Sequence, residues 1–199
     1  MFSMKSKFSF NQDIILENDR ALLKPLSKDD YDDYWRISQK DPGLLKYSPA
    51  LINTPELLEN YIQTALDLRE NNEKYSFTII DKSKNTIVGS TSFMNISTVN
   101  KSLEIGSTWL DPDTQGTGLN RQNKLLMLAY AFEEIEFERV ELKTDSRNLQ
   151  SRKAILKIGA QYEGCLRSHM LMSDGYRRHT IYYSIIKKEW PSIKTHLEN

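Results

Sequence analysis

Between Trp109 and Tyr130 the chain reads "WLDPDTQGTGLNRQNKLLMLAY", and its character changes midway: an apolar end passes through two glycines, Gly116 and Gly118, into a stretch with helical spacing of apolar residues. Glycine admits left-handed backbone, so such a turn can aim several N–H groups at one point, and the following helix adds the positive end of its dipole. Phosphate is one occupant that suits this arrangement. A tight strand-to-helix connection without any ligand is the other reading, and two glycines alone fit both.

Composition narrows the classes around that turn. A chain of 199 residues is long enough for one domain with a full core, and 39% hydrophobic with 27% charged residues is the balance of a folded protein rather than a disordered one. Lys+Arg and Asp+Glu both number 27, so overall charge gives no attraction to nucleic acid or to an anionic membrane. A lone cysteine, Cys165, excludes an internal disulfide framework and fits a reducing, cytoplasmic setting. The N-terminal "MFSMKSKFSF" lacks the apolar run and cleavage site of a leader, and no stretch approaches the ~20 apolar residues of a membrane span. The expectation is a soluble chain.

Working outward, "ALLKPL" predicts a short strand, and Ser27 followed by Asp29 and Asp30 predicts a capped helix with Tyr31, Tyr34, Trp35 and Ser38 on one face. Thr54-Pro55-Glu56 starts a second helix whose inner positions are Leu57, Leu58, Tyr61, Ile62, Ala65 and Leu68. "YSFTIIDKSKNTIVGSTSFMN" gives two strands around Asp81 to Asn85, and "SLEIGSTWL" a third in which Leu103, Ile105 and Trp109 alternate with Glu104, Gly106 and Thr108. After the glycine turn, Leu125, Leu128, Ala129 and Phe132 mark a helical stripe. "RVELKT" is then a strand, and Asn148 to Ile158 a helix capped by Asn148 and stopped at Gly159. Two more strands are expected around "AQYEGCLRSHM" and "HTIYYSIIK". No linker interrupts this order, so a single mixed α/β domain over 1–199, with its core at about 20–190, is expected.

These residues resemble one family, the GCN5-related N-acetyltransferases (GNAT), and within it the RimJ/RimL-type protein N-acetyltransferases. The likeness runs over nearly all of the chain from Ala21 onward. It is carried by "QGTGLN" after "EIGSTWLDPD", and by "RVELKTDSRNLQSRKAILKIGAQYEGCLR", where Asn148, Ser151, Lys157 and Gly159 occupy the pattern N-x-x-S-(x)5-K-x-G. The resemblance implies a mostly antiparallel sheet flanked by helices, with a splayed central strand pair for acetyl-CoA. It also implies that the glycine turn binds the cofactor's pyrophosphate. The cofactor contacts carried over are Trp109, Leu110, Gln115, Gly116, Thr117, Gly118, Leu119, Asn120, Asn148 and Lys153, with Arg152 as a further candidate for the 3′-phosphate. The competing phosphate loops fit less well: a Walker-type loop needs Gly-Lys followed by Ser or Thr, but Leu119 and Asn120 follow Gly118, and a dinucleotide fold lacks its third glycine.

Acetyl transfer to an amine asks for an uncharged amine, a polarised carbonyl and help for the departing thiolate. Glu104, on the strand before the turn, is the candidate base, against a reading as an exposed strand carboxylate or the partner of Arg147 or Arg167. Ser151, one helical turn after Asn148, is the candidate hydroxyl for the thiolate, against a capping role. Backbone N–H groups near Trp109 and Leu110 would polarise the carbonyl, with the Trp109 ring itself in the core. Three departures from the family pattern stand out: Asp113 at the first position of the glycine motif, Ile155 where many relatives carry the tyrosine acid, and Arg178-His179 where an acid is common. No metal is expected, since His169, His179 and Cys165 lack ligand spacing, and Cys165 is expected as a small buried hydrophobe. The resulting expectation is an acetyl-CoA-dependent N-acetyltransferase for a protein or peptide N-terminus. The alternatives are a small-molecule amine as acceptor, or a non-catalytic acyl-CoA-binding protein on the same fold. Neither nucleic acid nor membrane is expected as partner, and the chain is expected as monomer or homodimer.

Overall fold

The computed structural model of the protein describes residues 8–198, so the first seven residues of the N-terminal stretch read above lie outside the described residues. Eight strands form one sheet in the order β1-β2-β3-β4-β5-β6-β8-β7. They are β1 (Leu16–Glu17), β2 (Ala21–Pro25), β3 (Lys74–Asp81), β4 (Thr86–Ser97), β5 (Ser102–Leu110), β6 (Arg139–Asp145), β7 (Gln161–Leu171) and β8 (Arg177–Ile186). Every neighbouring pair is antiparallel except β5–β6. The mixed, mostly antiparallel fold class expected from the sequence is the one observed.

Helices cover both faces. On one side α1 (Tyr31–Ser38) and α2 (Pro55–Glu70) enclose Tyr34, Ile37, Leu58, Tyr61, Ile62 and Trp109. On the other, α3 (Leu119–Ala129), α4 (Leu149–Lys157) and α5 (Trp190–Glu198) pack on a larger cluster that includes Phe77, Phe93, Ile105, Leu128 and Ile185. Two elements are additional to the expected order. β1 is only two residues long, too short for any alternation to show. α5 contributes Trp190, Ile193 and Leu197 to the core, a spacing that the sequence does carry.

Two irregularities position the site. Between Ser90 and Ser92 of β4 and Trp109 and Gly106 of β5 the register slips, with two residues of β5 opposing one of β4; Ser107, in the bulge, has φ +49°. The slip reverses the alternation, which corrects the expected grouping: Leu103 and Ile105 face α3, but Trp109 faces α1 and α2, where its Nε1 donates to the Tyr61 hydroxyl at 3.1 Å. The second irregularity is a splay. β5 and β6 pair only through Ser102–Arg139, Leu103–Val140 and Glu104–Glu141, and beyond that row both strands continue unpaired with each other. The splayed central pair is therefore present.

Within the helices the expected faces need adjustment. Leu57 is exposed rather than inner. In α3 the buried positions are Leu119, Asn123, Lys124, Met127 and Leu128, while Leu125 and Ala129 are half-buried. Two polar residues turn inward there, which apolar spacing cannot reveal, and the π-turn Tyr130–Glu134 keeps Phe132 inside.

Candidate active site

At the end of β5 the chain passes through a 3-10 turn, Pro112–Thr114, into the glycine turn. Gly116 and Gly118 have φ of +78° and +86°, the left-handed region where glycine is favoured, and a Cβ added at either would meet nothing within 4 Å. The requirement for glycine is thus one of backbone conformation, with open space in front of the turn. Gly118 is the N-cap of α3, and the N–H groups of Gly116, Gly118, Leu119 and Asn120 donate to no backbone carbonyl among the described residues. Behind the turn, Asn120 Oδ1 and both amide atoms of Asn123 are buried without a partner among the described residues. The arrangement fits an anionic ligand: free donors, a helix N-terminus and no side chain in the way.

α4 opens beside it. Asn148 caps this helix, its Oδ1 accepting the Ser151 N–H at 3.0 Å, so the asparagine side-chain oxygen is spent on the cap. Gln150 Nε2 donates to Gln115 Oε1 at 2.8 Å, which ties the start of α4 to the glycine turn. The Ser151 hydroxyl is half-buried and has no partner among the described residues. Lys153 is exposed, and Arg152 donates to the Ser146 carbonyl. Ile155 is buried in the core. Thr117 hydrogen-bonds the Thr114 carbonyl, while Leu119 is fully buried and offers only its backbone. Trp109 and Leu110 pair with β4 and leave their other strand edge unpaired at the splay.

Asp113, the departure at the head of the glycine motif, meets Lys40 Nζ at 2.5 Å, and that hydrogen bond holds its carboxyl below the usual range. Lys40 also reaches Asp111 at 2.8 Å, and hydrogen bonds to these two carboxylates, Asp111 first, raise its own pKa. The acid beside the glycine turn is therefore neutralised by Lys40, just past the end of α1.

On the α1–α2 face of the splay stands Glu104. The readings set against a base role, an exposed carboxylate or a partner of Arg147 or Arg167, are not what the structure shows: Glu104 is 1% exposed, and its Oε2 receives Lys143 Nζ at 2.8 Å and Asn95 Nδ2 at 2.8 Å. Arg147 is engaged by Asp145 instead, at 2.7 Å, and Arg167 is exposed on β7. The reason is register: Glu104 ends the paired part of β5–β6, next to the inward-facing Lys143. Glu104 Oε1 is buried with no partner among the described residues. Nearby Lys74 donates to the Ser107 hydroxyl at 3.2 Å, and burial pushes its pKa down to about 8 against the opposing pull of Glu104. On the other face, Lys124 is buried with Nζ 2.8 Å from Thr108 Oγ1, and burial alone lowers it to about 7.

Lys143, Asn95, Lys74 and Lys124 were not among the expected site residues; each lies on a different element from its partner, and no local spacing marks them. Cys165 corrects another expectation, being exposed because β7 is the sheet edge. His169 bonds Thr180 Oγ1 at 3.0 Å, and His179 Nδ1 accepts the Ser168 N–H. Among the described residues no group of three or more His, Cys, Asp or Glu is placed to hold a metal, and no helix is long and apolar enough to cross a membrane.

Comparison with known proteins gives this geometry its context. Residues 20–161 match the Acetyltransferase (GNAT) domain. YdaF of Bacillus subtilis, whose name includes the words ribosomal N-acetyltransferase, is 32% identical over 109 residues, 55% of this chain and 58% of that protein. The uncharacterized N-acetyltransferase p20 of Bacillus licheniformis is 26% identical over 88% of this chain and 97% of its own length. Among solved structures, a GCN5-related N-acetyltransferase from Brucella melitensis superposes with a TM-score of 0.87 at 24% identity, covering 96% of this chain and 86% of that one, a likeness of fold.

Proposed function

Because this chain belongs to the GNAT acetyltransferase family, we propose that it transfers acetyl from acetyl-CoA to a primary amine by direct attack, with a protein or peptide N-terminus, of the RimJ/RimL type, as the acceptor. The observation that carries the reading is the splay of β5 from β6 directly below the glycine turn, which leaves a strand edge at Gly106–Leu110 for the pantetheine arm and free N–H groups for the pyrophosphate. The name of the Bacillus subtilis relative favours a protein acceptor.

In this reading the thioester carbonyl lies against backbone N–H groups near Trp109 and Leu110, which stabilise the oxyanion as the amine attacks. Glu104 Oε1, without a partner among the described residues, takes the proton of the amine directly or through water, while Lys143 and Asn95 hold the other oxygen of this carboxylate and fix the side chain. The Ser151 hydroxyl donates to the thiolate as charge develops on sulfur, in the place that Ile155 cannot serve. An N-terminal amine, with pKa ~7.7–8.0, needs less from a base than lysine at ~10.4, so alignment does much of the work.

The test is release of free CoA thiol from acetyl-CoA in the presence of N-terminal peptides, amino acids and polyamines, each against the hydrolysis background. Peptide-dependent thiol supports the reading. Thiol release with polyamines alone would make the acceptor a small amine. Saturating acetyl-CoA binding with no acceptor active would leave a non-catalytic acyl-CoA-binding protein.

A further inference from the structure

Arg178, on β8, is 6% exposed and makes no ion pair among the described residues. Its one hydrogen bond runs from Nη1 to the Tyr47 carbonyl at 3.3 Å, in the loop between α1 and α2, and its Nε is buried without a partner. A buried guanidinium carries five donors and a charge that burial penalises unless a carboxylate or equivalent compensates it. Burial lowers the Arg178 pKa here, and Asp145 and Glu104 pull the other way. Neither carboxylate is in hydrogen-bond contact with it: Asp145 is held by Arg147 through Nε and Nη2, and Glu104 Oε2 by Lys143 and Asn95.

Strand alternation puts Arg178 on the site's face of the sheet. Lys143 pairs with Tyr182 and Asp145 with Thr180, so Arg178, Thr180 and Tyr182 share a face with the Lys143 that reaches Glu104. Arg147 roofs the same region, 3.6 Å from the Tyr176 ring and 5.6 Å from that of Tyr47. Lys74, in lateral register with Met94 and hence Glu104, completes the group. Around Glu104 and Asp145 this part of the face gathers four cations, Lys74, Lys143, Arg147 and Arg178; further along it Arg139 is matched by Glu141 and Glu163, and Asp174 lies near Arg147. Two buried atoms of this group have no partner among the described residues, an acceptor at Glu104 Oε1 and a donor at Arg178 Nε.

We infer that the acceptor carries a carboxylate on the same molecule as its reacting amine, and that Arg178 binds this carboxylate while Glu104 faces the amine. The inference rests on the transferase reading for the identity of the site. The carboxylate has two sources, an acidic side chain near a peptide N-terminus or the α-carboxylate of a small amino compound. A polyamine, which has no carboxylate to offer Arg178, is the acceptor this arrangement disfavours.

Calorimetric titration of the full chain decides it. The probes are amidated Ala-Asp-Ala and its neutral twin Ala-Asn-Ala, and the dipeptide Ala-Ala with a free or an amidated C-terminus. At least one carboxylate form is expected to bind tenfold or more tightly than its neutral twin, a preference set by one charge-assisted bidentate contact. The favoured pair identifies the source. Arg178→Gln is expected to erase the preference and Arg178→Lys to keep part of it, each with a melting temperature recorded. Equal binding of the twins on the wild-type chain, no binding of either carboxylate form, or a preference that survives Arg178→Gln overturns the inference. The two readings fail separately: thiol release with either twin together with equal binding of the twins keeps the transferase while this inference falls, and carboxylate-dependent binding with no thiol release from any acceptor does the reverse.

Discussion

The two sides of β5 are built from different materials. On the side of the glycine turn, consecutive residues from Trp109 to Asn120 offer the proposed cofactor site their backbone: left-handed glycines, N–H groups without a backbone acceptor among the described residues and a helix N-terminus. On the α1–α2 side, single residues from β3, β4, β5, β6 and β8 converge with a loop that supplies Tyr47, and the proposed acceptor half is made of their side chains. The difference teaches that a backbone-built site is local and tolerates variation in every side chain but glycine, whereas a side-chain-built site depends on strand register and can change its acceptor without changing its fold.

The largest expected effect breaks the backbone-built side. Gly118→Val forces a β-branched residue to φ +86°, and since its Cβ meets no atom within 4 Å, the fold should survive while the turn relaxes and its N–H groups lose their common aim. Acetyl-CoA affinity is expected to fall about a hundredfold or more by calorimetry, with an unchanged circular dichroism spectrum, because several charge-assisted hydrogen bonds are misdirected together. Gly118→Asn, which tolerates left-handed backbone, should lose less. Unchanged affinity in the valine variant would reduce the turn to a connector.

Next in size, Glu104→Gln probes the side-chain-built half. The amide keeps the shape and the Asn95 neighbour but cannot take a proton, and it leaves Lys143 without its carboxylate. A loss of roughly thirtyfold in kcat/KM is expected near neutral pH, recovering partly at alkaline pH where an N-terminal amine is already deprotonated. A mutant-to-wild-type ratio that stays flat from about pH 6 to 9.5 would move catalysis to alignment alone. Ser151→Ala should cost about tenfold in kcat with acetyl-CoA affinity nearly intact, since its hydrogen bond would strengthen only as the thiolate forms. Wild-type turnover in that variant would confine residue 151 to the cap that its backbone makes with Asn148.

The same contrast explains what the sequence showed. The strands and helices from Ala21 to Ile186, the cap at Asn148 and the glycine turn are all local patterns, and each is where the sequence placed it. Glu104 was legible as a polar residue on the right strand, but its burial was not, because the pairing that encloses it comes from Asn95 across a hairpin and Lys143 across a parallel junction. Trp109 was assigned to the face of Leu103 and Ile105 because a bulge carries no reliable mark when its left-handed residue is Ser107 rather than glycine. Cys165 shows the remaining kind of error: hydrophobic character says nothing about whether a strand lies at the edge of its sheet.

Lys124 crosses the comparison, a side-chain charge placed behind the backbone-built half, and its replacement is expected to have the smallest effect on function. Its Nζ is held by the hydroxyls of Thr108 and Thr91, with no carboxylate in contact among the described residues. Burial lowers its pKa from 10.5 to about 7. The folded state therefore binds this proton more weakly than the unfolded chain does. Below about pH 7 both states are protonated and the full cost of burying the charge is present; between about 7 and 10.5 the folded state has released the proton and the unfolded one has not, so stability rises with pH, by up to about 1.4 kcal/mol per unit. Lys124→Met keeps the length of the stem, and Thr91 and Thr108 remain hydrogen-bonded to each other at 2.7 Å. Urea unfolding of that variant should show a gain that is greatest below about pH 7 and fades toward pH 10.5, while acetyl-CoA affinity changes by less than about twofold, as for a group outside the ligand's reach. A loss of stability that is equal at every pH would mean the lysine is held by its two threonines strongly enough to outweigh its burial, and a tenfold loss of affinity would extend the cofactor site through Thr108 to this helix.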